Sequence, residues 1–167
     1  MNQQKKLMQR FPYMFSGPNL GISIAKGWMP VVTKLCEDID ALLGDDKQGF
    51  VWVQIKEKFG SGRFYFRLMG RRSTVPRDSP VDSGGTPIKT VITGLVDREV
   101  KHTVDKDLVL HLNALVEAAQ AQTERICIEC STAGAPVTLG GQQFILCPLH
   151  IAKRQGPSGN GESLNDD

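Results

Sequence analysis

No apolar run in this 167-residue chain approaches the roughly 18 residues that would cross a bilayer, so no membrane association is expected. The first residues, Met1-Asn2-Gln3-Gln4-Lys5-Lys6, do not lead into a continuous apolar segment, and no secretory leader is read there. Charge of one sign is scarce as well. The 20 Lys and Arg against 18 Asp and Glu leave +2, too small a balance to demand a nucleic-acid partner. Catalytic signatures are thin. There are three histidines, and His102 and His111 stand apart from any nucleophile motif. Gly60-x-Gly62 is too short for a phosphate loop and lies between strand-like runs. The expectation is a protein that is not an enzyme. Cysteine is limited to four residues, none obviously paired for a disulfide framework, which favours a reducing, cytoplasmic setting.

Three of those four cysteines fall in one short stretch. Cys127-Ile-Glu-Cys130 and Cys147-Pro-Leu-His150 are two knuckles, C-x2-C and C-x2-H, separated by sixteen residues. Four soft or borderline donors in this linked spacing suit one tetrahedral Zn2+ per chain, held by Cys127, Cys130, Cys147 and His150. Three thiolates and an imidazole fill the tetrahedron and leave no open position, so the expected role is structural. A disulfide or simply buried thiols are the alternatives. Between the knuckles, 137–139 and 142–146 read as strands turning at Gly140-Gly141, which makes 127–152 a zinc-ribbon-like lobe.

The rest of the chain reads as an α+β domain over 28–126: an antiparallel sheet packed on two helices. Residues 1–27, with Gly17, Pro18, Gly21 and Gly27, read as an irregular arm. The first helix spans 30–43, with Val31, Leu35, Ile39 and Leu42 on one stripe beside Val32, Cys36 and Leu43. The second spans 106–126, capped by Asp105, with Leu108, Leu112, Leu115, Val116 and Ala119 facing inward. Five acids and no base over 37–46 read as a solvated helix face and loop. Strands 50–56 and 63–69 form a hairpin across a loop at 57–62, and one or two further strands are expected in 88–104. Residues 70–87 read as a loop and 153–167 as a disordered tail.

Strict alternation along the hairpin would put Val51, Val53, Ile55, Phe64, Phe66 and Leu68 on the core face. The opposite face would show Trp52, Gln54, Lys56, Arg63, Tyr65 and Arg67. From 50 to 77 there are seven bases (Lys56, Lys58, Arg63, Arg67, Arg71, Arg72 and Arg77) and one acid (Glu57), a local charge of +6. Trp52, Lys56, Arg63, Tyr65 and Arg67, continued by Arg71 and Arg72, are therefore the expected partner-binding surface. Trp, Tyr and Arg are the types enriched in protein hot spots. The same bases and rings could bind phosphates and stack on nucleobases. Equally, the arm could cover this face, with the Arg and Lys stems lying over it.

Several of these pieces together resemble a group of small uncharacterised phage and prophage proteins. They are Gly27-Trp28 before an apolar helix, Lys56-Glu57-Lys58-Phe59-Gly60 with Arg63-Phe64-Tyr65, and the C-terminal CxxC…CxxH site. The resemblance covers 27–69 and 107–152, and 70–106 stands as an insertion relative to it. It implies a bacterial or phage source and carries no biochemical activity with it. A small phage-type protein without visible chemistry is expected to act by stoichiometric binding to a host protein or nucleoprotein, as an anti-defence or anti-CRISPR-like inhibitor would. A nucleic-acid-binding accessory or regulatory protein is the alternative.

Overall fold

The computed structural model describes residues 2–17, 21–45, 47, 49–68 and 106–156. Among them the fold is mixed, with four α-helices, one three-stranded sheet and one two-stranded sheet. The expected strands of 88–104, the Asp105 cap, Arg71, Arg72 and the last eleven residues lie outside the described residues.

The N-terminal segment departs from the expected irregular arm. Helix α1 spans Gln3–Arg10 and starts where the Asn2 side chain accepts the Gln4 N–H at 3.0 Å. It stops before Pro12, whose ring disfavours helical backbone at Phe11. A 3-10 turn at Pro12–Phe15 follows, then strand β1, Gly21–Ile22. Leu7, Phe11, Met14 and Phe15 all enter the main core. The segment thus completes the core, and its Gly17 also covers Val51 on the hairpin's other face.

Helix α2, Met29–Leu43, carries Pro30 in its first turn and ends at Gly44, where φ is 57°. Its buried residues are Met29, Val32, Leu35, Cys36 and Ile39; of the expected stripe, Val31 and Leu43 are only partly buried and Leu42 is exposed. Burial pushes the Cys36 thiol up to about 12, so it stays a protonated core residue. The acids of 37–46 that the structure describes are largely spoken for. Glu37 pairs with Arg10, Asp38 with Lys34, and Asp40 accepts from both Lys47 and the Tyr13 hydroxyl. The Lys47 ammonium holds the Asp40 carboxyl below its usual value, while burial pushes the Tyr13 phenol up.

The main sheet has order β1-β2-β3, with β2 at Phe50–Lys58 and β3 at Ser61–Leu68. β1 joins β2 in parallel, so the sheet is mixed rather than purely antiparallel. The β2–β3 connection is shorter than the expected loop: Phe59 and Gly60, with φ of 52° and 79°, make a two-residue turn of the hairpin-compatible hand. Helix α3, Lys106–Thr123, closes the outer edge of β3. The Gly62 N–H donates to the Thr123 hydroxyl at 2.8 Å and the Phe64 N–H to Gln120 Oε1 at 2.9 Å. Helical side chains therefore satisfy donors that an open sheet edge would expose. Leu112, Val116 and Ala119 of α3 lie buried on the sheet, as their spacing predicts.

The face assignment needs correction. Register runs regularly from Phe50↔Leu68 to Trp52↔Phe66, then shifts, and resumes at Gln54↔Tyr65. Val53 is the extra residue of a β-bulge, and a bulge reverses the parity of everything on one side of it. The core face is Phe50, Trp52, Ile55, Phe64 and Phe66, all in the main apolar cluster. Phe50 meets Trp52 edge-on at 5.0 Å and stacks on Phe66 at 5.2 Å. Val51 and Val53 are buried on other contacts, Val51 against Gly17. Trp52 is fully buried and so is a core residue, not a surface anchor. Trp52→Ala is expected to destabilise the fold by about 3–5 kcal/mol, read as a large fall in melting temperature. A melting curve left in place would return Trp52 to the surface.

Candidate metal centre

The C-terminal segment holds a second, smaller apolar cluster centred on Cys127, Leu146 and Cys147. Strands β4, Ala135–Leu139, and β5, Gln142–Leu146, pair antiparallel across Gly140-Gly141, whose φ of 57° and 79° mark the expected two-residue turn. Helix α4, Pro148–Gln155, begins directly after Cys147.

Local backbone bonds fix the first knuckle. The Cys127 N–H donates to the Thr132 carbonyl at 2.7 Å, and the Ser131 N–H returns to the Cys127 carbonyl at 3.0 Å. Ser131 takes φ 67°, the left-handed residue that turns the chain back after Cys130. The second knuckle is a helix start. The His150 and Ile151 N–H groups both reach the Cys147 carbonyl at 3.0 Å, which lifts the imidazole of His150 back toward Cys147 Sγ.

The structure brings all four expected ligands together, with donor atoms within 4.8 Å of one another. Donors on a metal at about 2.3 Å for sulfur and about 2.0–2.1 Å for nitrogen, at tetrahedral angles, stand about 3.8 Å apart for two sulfurs and about 3.5 Å for sulfur and nitrogen. Cys130 Sγ to Cys147 Sγ is 3.7 Å, Cys127 Sγ to His150 Nδ1 is 3.5 Å, and Cys147 Sγ to His150 Nδ1 is 3.2 Å. These edges match a metal tetrahedron and greatly exceed the roughly 2.05 Å of a disulfide. The four cysteines, Cys36 included, are free. Hydrogen bonding from the His150 backbone N–H and then its side chain holds the Cys147 thiol down at about 6, which favours the ligating thiolate.

The centre is stitched to the main body at two places. The Gly27 N–H donates to the Ile128 carbonyl at 2.7 Å. A Cβ at Gly60, in the hairpin turn, would touch the Phe144 backbone of β5 at 3.4 Å. Within the lobe, Arg154 of α4 stacks over the Phe144 ring at 4.6 Å and pairs with Glu129 of the first knuckle. Sequence spacing pointed to neither Gly27 nor Gly60 as a contact of this lobe, because both act through backbone proximity across the fold.

The expected partner-binding residues separate into three groups. Trp52 lies in the core. Lys56, Arg63, Tyr65 and Arg67 share the opposite face and are half-buried, with Lys56 Nζ 5.9 Å from the Tyr65 ring centre. Arg71 and Arg72 lie outside the described residues. No helix among the described residues is long and apolar enough to cross a membrane. No family model, curated protein or solved structure matches the chain.

Proposed function

We propose that the chain is a non-enzymatic binding protein whose C-terminal lobe is built, in the manner of a zinc ribbon, on one structural Zn2+ held by Cys127, Cys130, Cys147 and His150. The observation that carries this reading is the convergence of the four donors within 4.8 Å, with three separations of 3.2, 3.5 and 3.7 Å close to the edges of a metal tetrahedron. Three thiolates and one imidazole suit zinc. When bound, such an ion supplies folding free energy and no reactive site. Cys127 and Cys130 anchor the turn after α3, Cys147 and His150 anchor the start of α4, and the β4–β5 hairpin spans between them. The test is elemental analysis of the purified protein beside its absorption spectrum. One equivalent of zinc and no iron–sulfur colour is the expected result; a stable protein free of metal would refute it.

The binding half of the proposal draws support from the hairpin face that the core does not need. With Trp52 removed from it, that face is basic and tyrosine-bearing: Lys56, Arg63, Tyr65 and Arg67. A host nucleoprotein is the partner class that fits such a face and the stoichiometric mode of action proposed for phage-type proteins of this size.

A further inference from the structure

The hairpin turn carries a residue that the fold does not ask for. Phe59 sits at φ 52°, a left-handed conformation that bulky side chains rarely adopt, and its side chain is 72 % exposed. A two-residue turn of this hand is best served by Asn-Gly or Gly-Gly. Here the first position holds an exposed aromatic ring, at a conformational cost and with no burial to offset it. Backbone outliers of this kind cluster at ligand contacts.

A second cost lies just behind the turn. Lys56 and Arg63 are direct cross-strand neighbours on the same face, and like charges placed so repel. The local acids are engaged elsewhere. Glu57 accepts the Gly60 N–H at 2.6 Å, and Glu129 pairs with Arg154.

Three aromatic rings in this region each carry a cation. Lys58 Nζ lies 5.3 Å from the Phe59 ring, Lys56 Nζ 5.9 Å from Tyr65, and the Arg154 guanidinium 4.6 Å from Phe144. The third belongs to the metal lobe, and Gly60 meets the backbone of Phe144, so turn and lobe adjoin. Flat π faces interleaved with positive charge are what single-stranded nucleic acids use: bases stack on rings while phosphates follow the cations. An exposed ring stacks on an unpaired base without the unstacking cost that insertion into a duplex demands.

We propose that the β2–β3 turn and the adjoining edge of the metal lobe form a binding site for single-stranded nucleic acid, with Phe59 as the stacking platform and Lys56, Lys58 and Arg63 as the phosphate contacts. This rests on the binding-protein reading above and names the chemistry of the partner's recognised part.

The experiment is fluorescence anisotropy of zinc-loaded, full-length protein with labelled twelve-nucleotide dT and rU oligomers and a duplex of equal length, across a salt series. Wild-type protein binds the single strands and discriminates against the duplex. Phe59→Ala weakens single-strand binding by roughly tenfold or more while the melting temperature holds, because the ring removed is exposed and contributes little burial. Lys56→Gln and Arg63→Gln each lower the log–log salt slope by about 0.7. Phe59→Tyr, which keeps a stacking face, retains binding. Failure of zinc-replete, fully folded wild-type protein to bind either oligomer at low salt overturns the inference and leaves the structural zinc untouched. So does binding that Phe59→Ala leaves unchanged, and so does Phe59-dependent capture of a host protein without oligomer binding.

Discussion

Removing the metal, or replacing Cys147 with serine, is expected to unfold the segment from Ile126 to Gln155 while the main body stays folded. The lobe has little else to hold it. Its buried apolar residues are Cys127, Ile145, Leu146 and Cys147, and two of the four are themselves ligands. Burying Ile145 and Leu146 contributes about 1.5–3 kcal/mol each, whereas structural zinc in small peptides contributes about 10–16 kcal/mol. The main core has its own eighteen buried residues drawn from α1, α2, α3, β2, β3 and the 3-10 turns at Pro12–Phe15 and Lys26–Trp28. Chelation should therefore split thermal unfolding into two steps. Hydrogen-exchange mass spectrometry should show protection lost over β4, β5 and α4 but kept in β2 and α3. Amides of β5 that stay protected in chelated protein would show that packing, not metal, holds the lobe.

Gly27→Ala is expected to destabilise the chain as well, by a smaller amount, although Gly27 touches neither ligand side chain nor metal. A Cβ on Gly27 would stand 2.6 Å from the Ile128 carbonyl oxygen and closer still to that of Cys127. Both obstacles are backbone, and neither can rotate away. The same peptide donates to Ile128 at 2.7 Å, so retreat from the clash breaks a buried hydrogen bond. Overpacking of this kind costs about 3 kcal/mol, or a fall in melting temperature of roughly 6–12 °C for a chain of this size. Because the strained carbonyls belong to the first knuckle, zinc transfer to a chelator should also accelerate. An alanine variant with wild-type melting and wild-type metal release would mean that the segment before α2 does not dock on the knuckle.

The clustering of Cys127, Cys130, Cys147 and His150 was legible because its information is local: two x2 spacings and a Gly-Gly turn bring four donors together with no long-range knowledge. The stripes of α2 and α3 were legible for the same reason. In the hairpin, β3 and the far half of β2 keep their expected faces, with Ile55, Phe64 and Phe66 inward, but residues 51–53 do not, because one inserted residue, Val53, reverses the alternation there and nothing in Phe50-Val51-Trp52-Val53 announces it. Val and Trp both favour strands, and only the facing strand decides which of them turns inward. Helix α1 escaped notice because its sequence, Gln3 to Arg10, is nearly all polar and buries Leu7 alone. Gly62 read as loop, yet it lies within β3. Its missing side chain makes room for Phe64 and Thr123, whose atoms would stand 2.8 and 3.0 Å from a Cβ.

The placement of Cys147 and His150 at the very start of α4 bears on how that helix comes to exist. Eight residues are too few for a stable isolated helix in water, since the first turn must be ordered before any repeating bond rewards it. Cys147 caps the helix and His150 lies in its first turn, so ligation of both to one ion would fix that turn from outside. Coordination would then replace helix nucleation. The far end of the same helix carries Arg154, whose position over Phe144 depends on the helix being formed. Metal loading would thus set not only the lobe's stability but the presence of a positive charge beside the hairpin turn, and a metal-starved chain would present a different surface to whatever it meets.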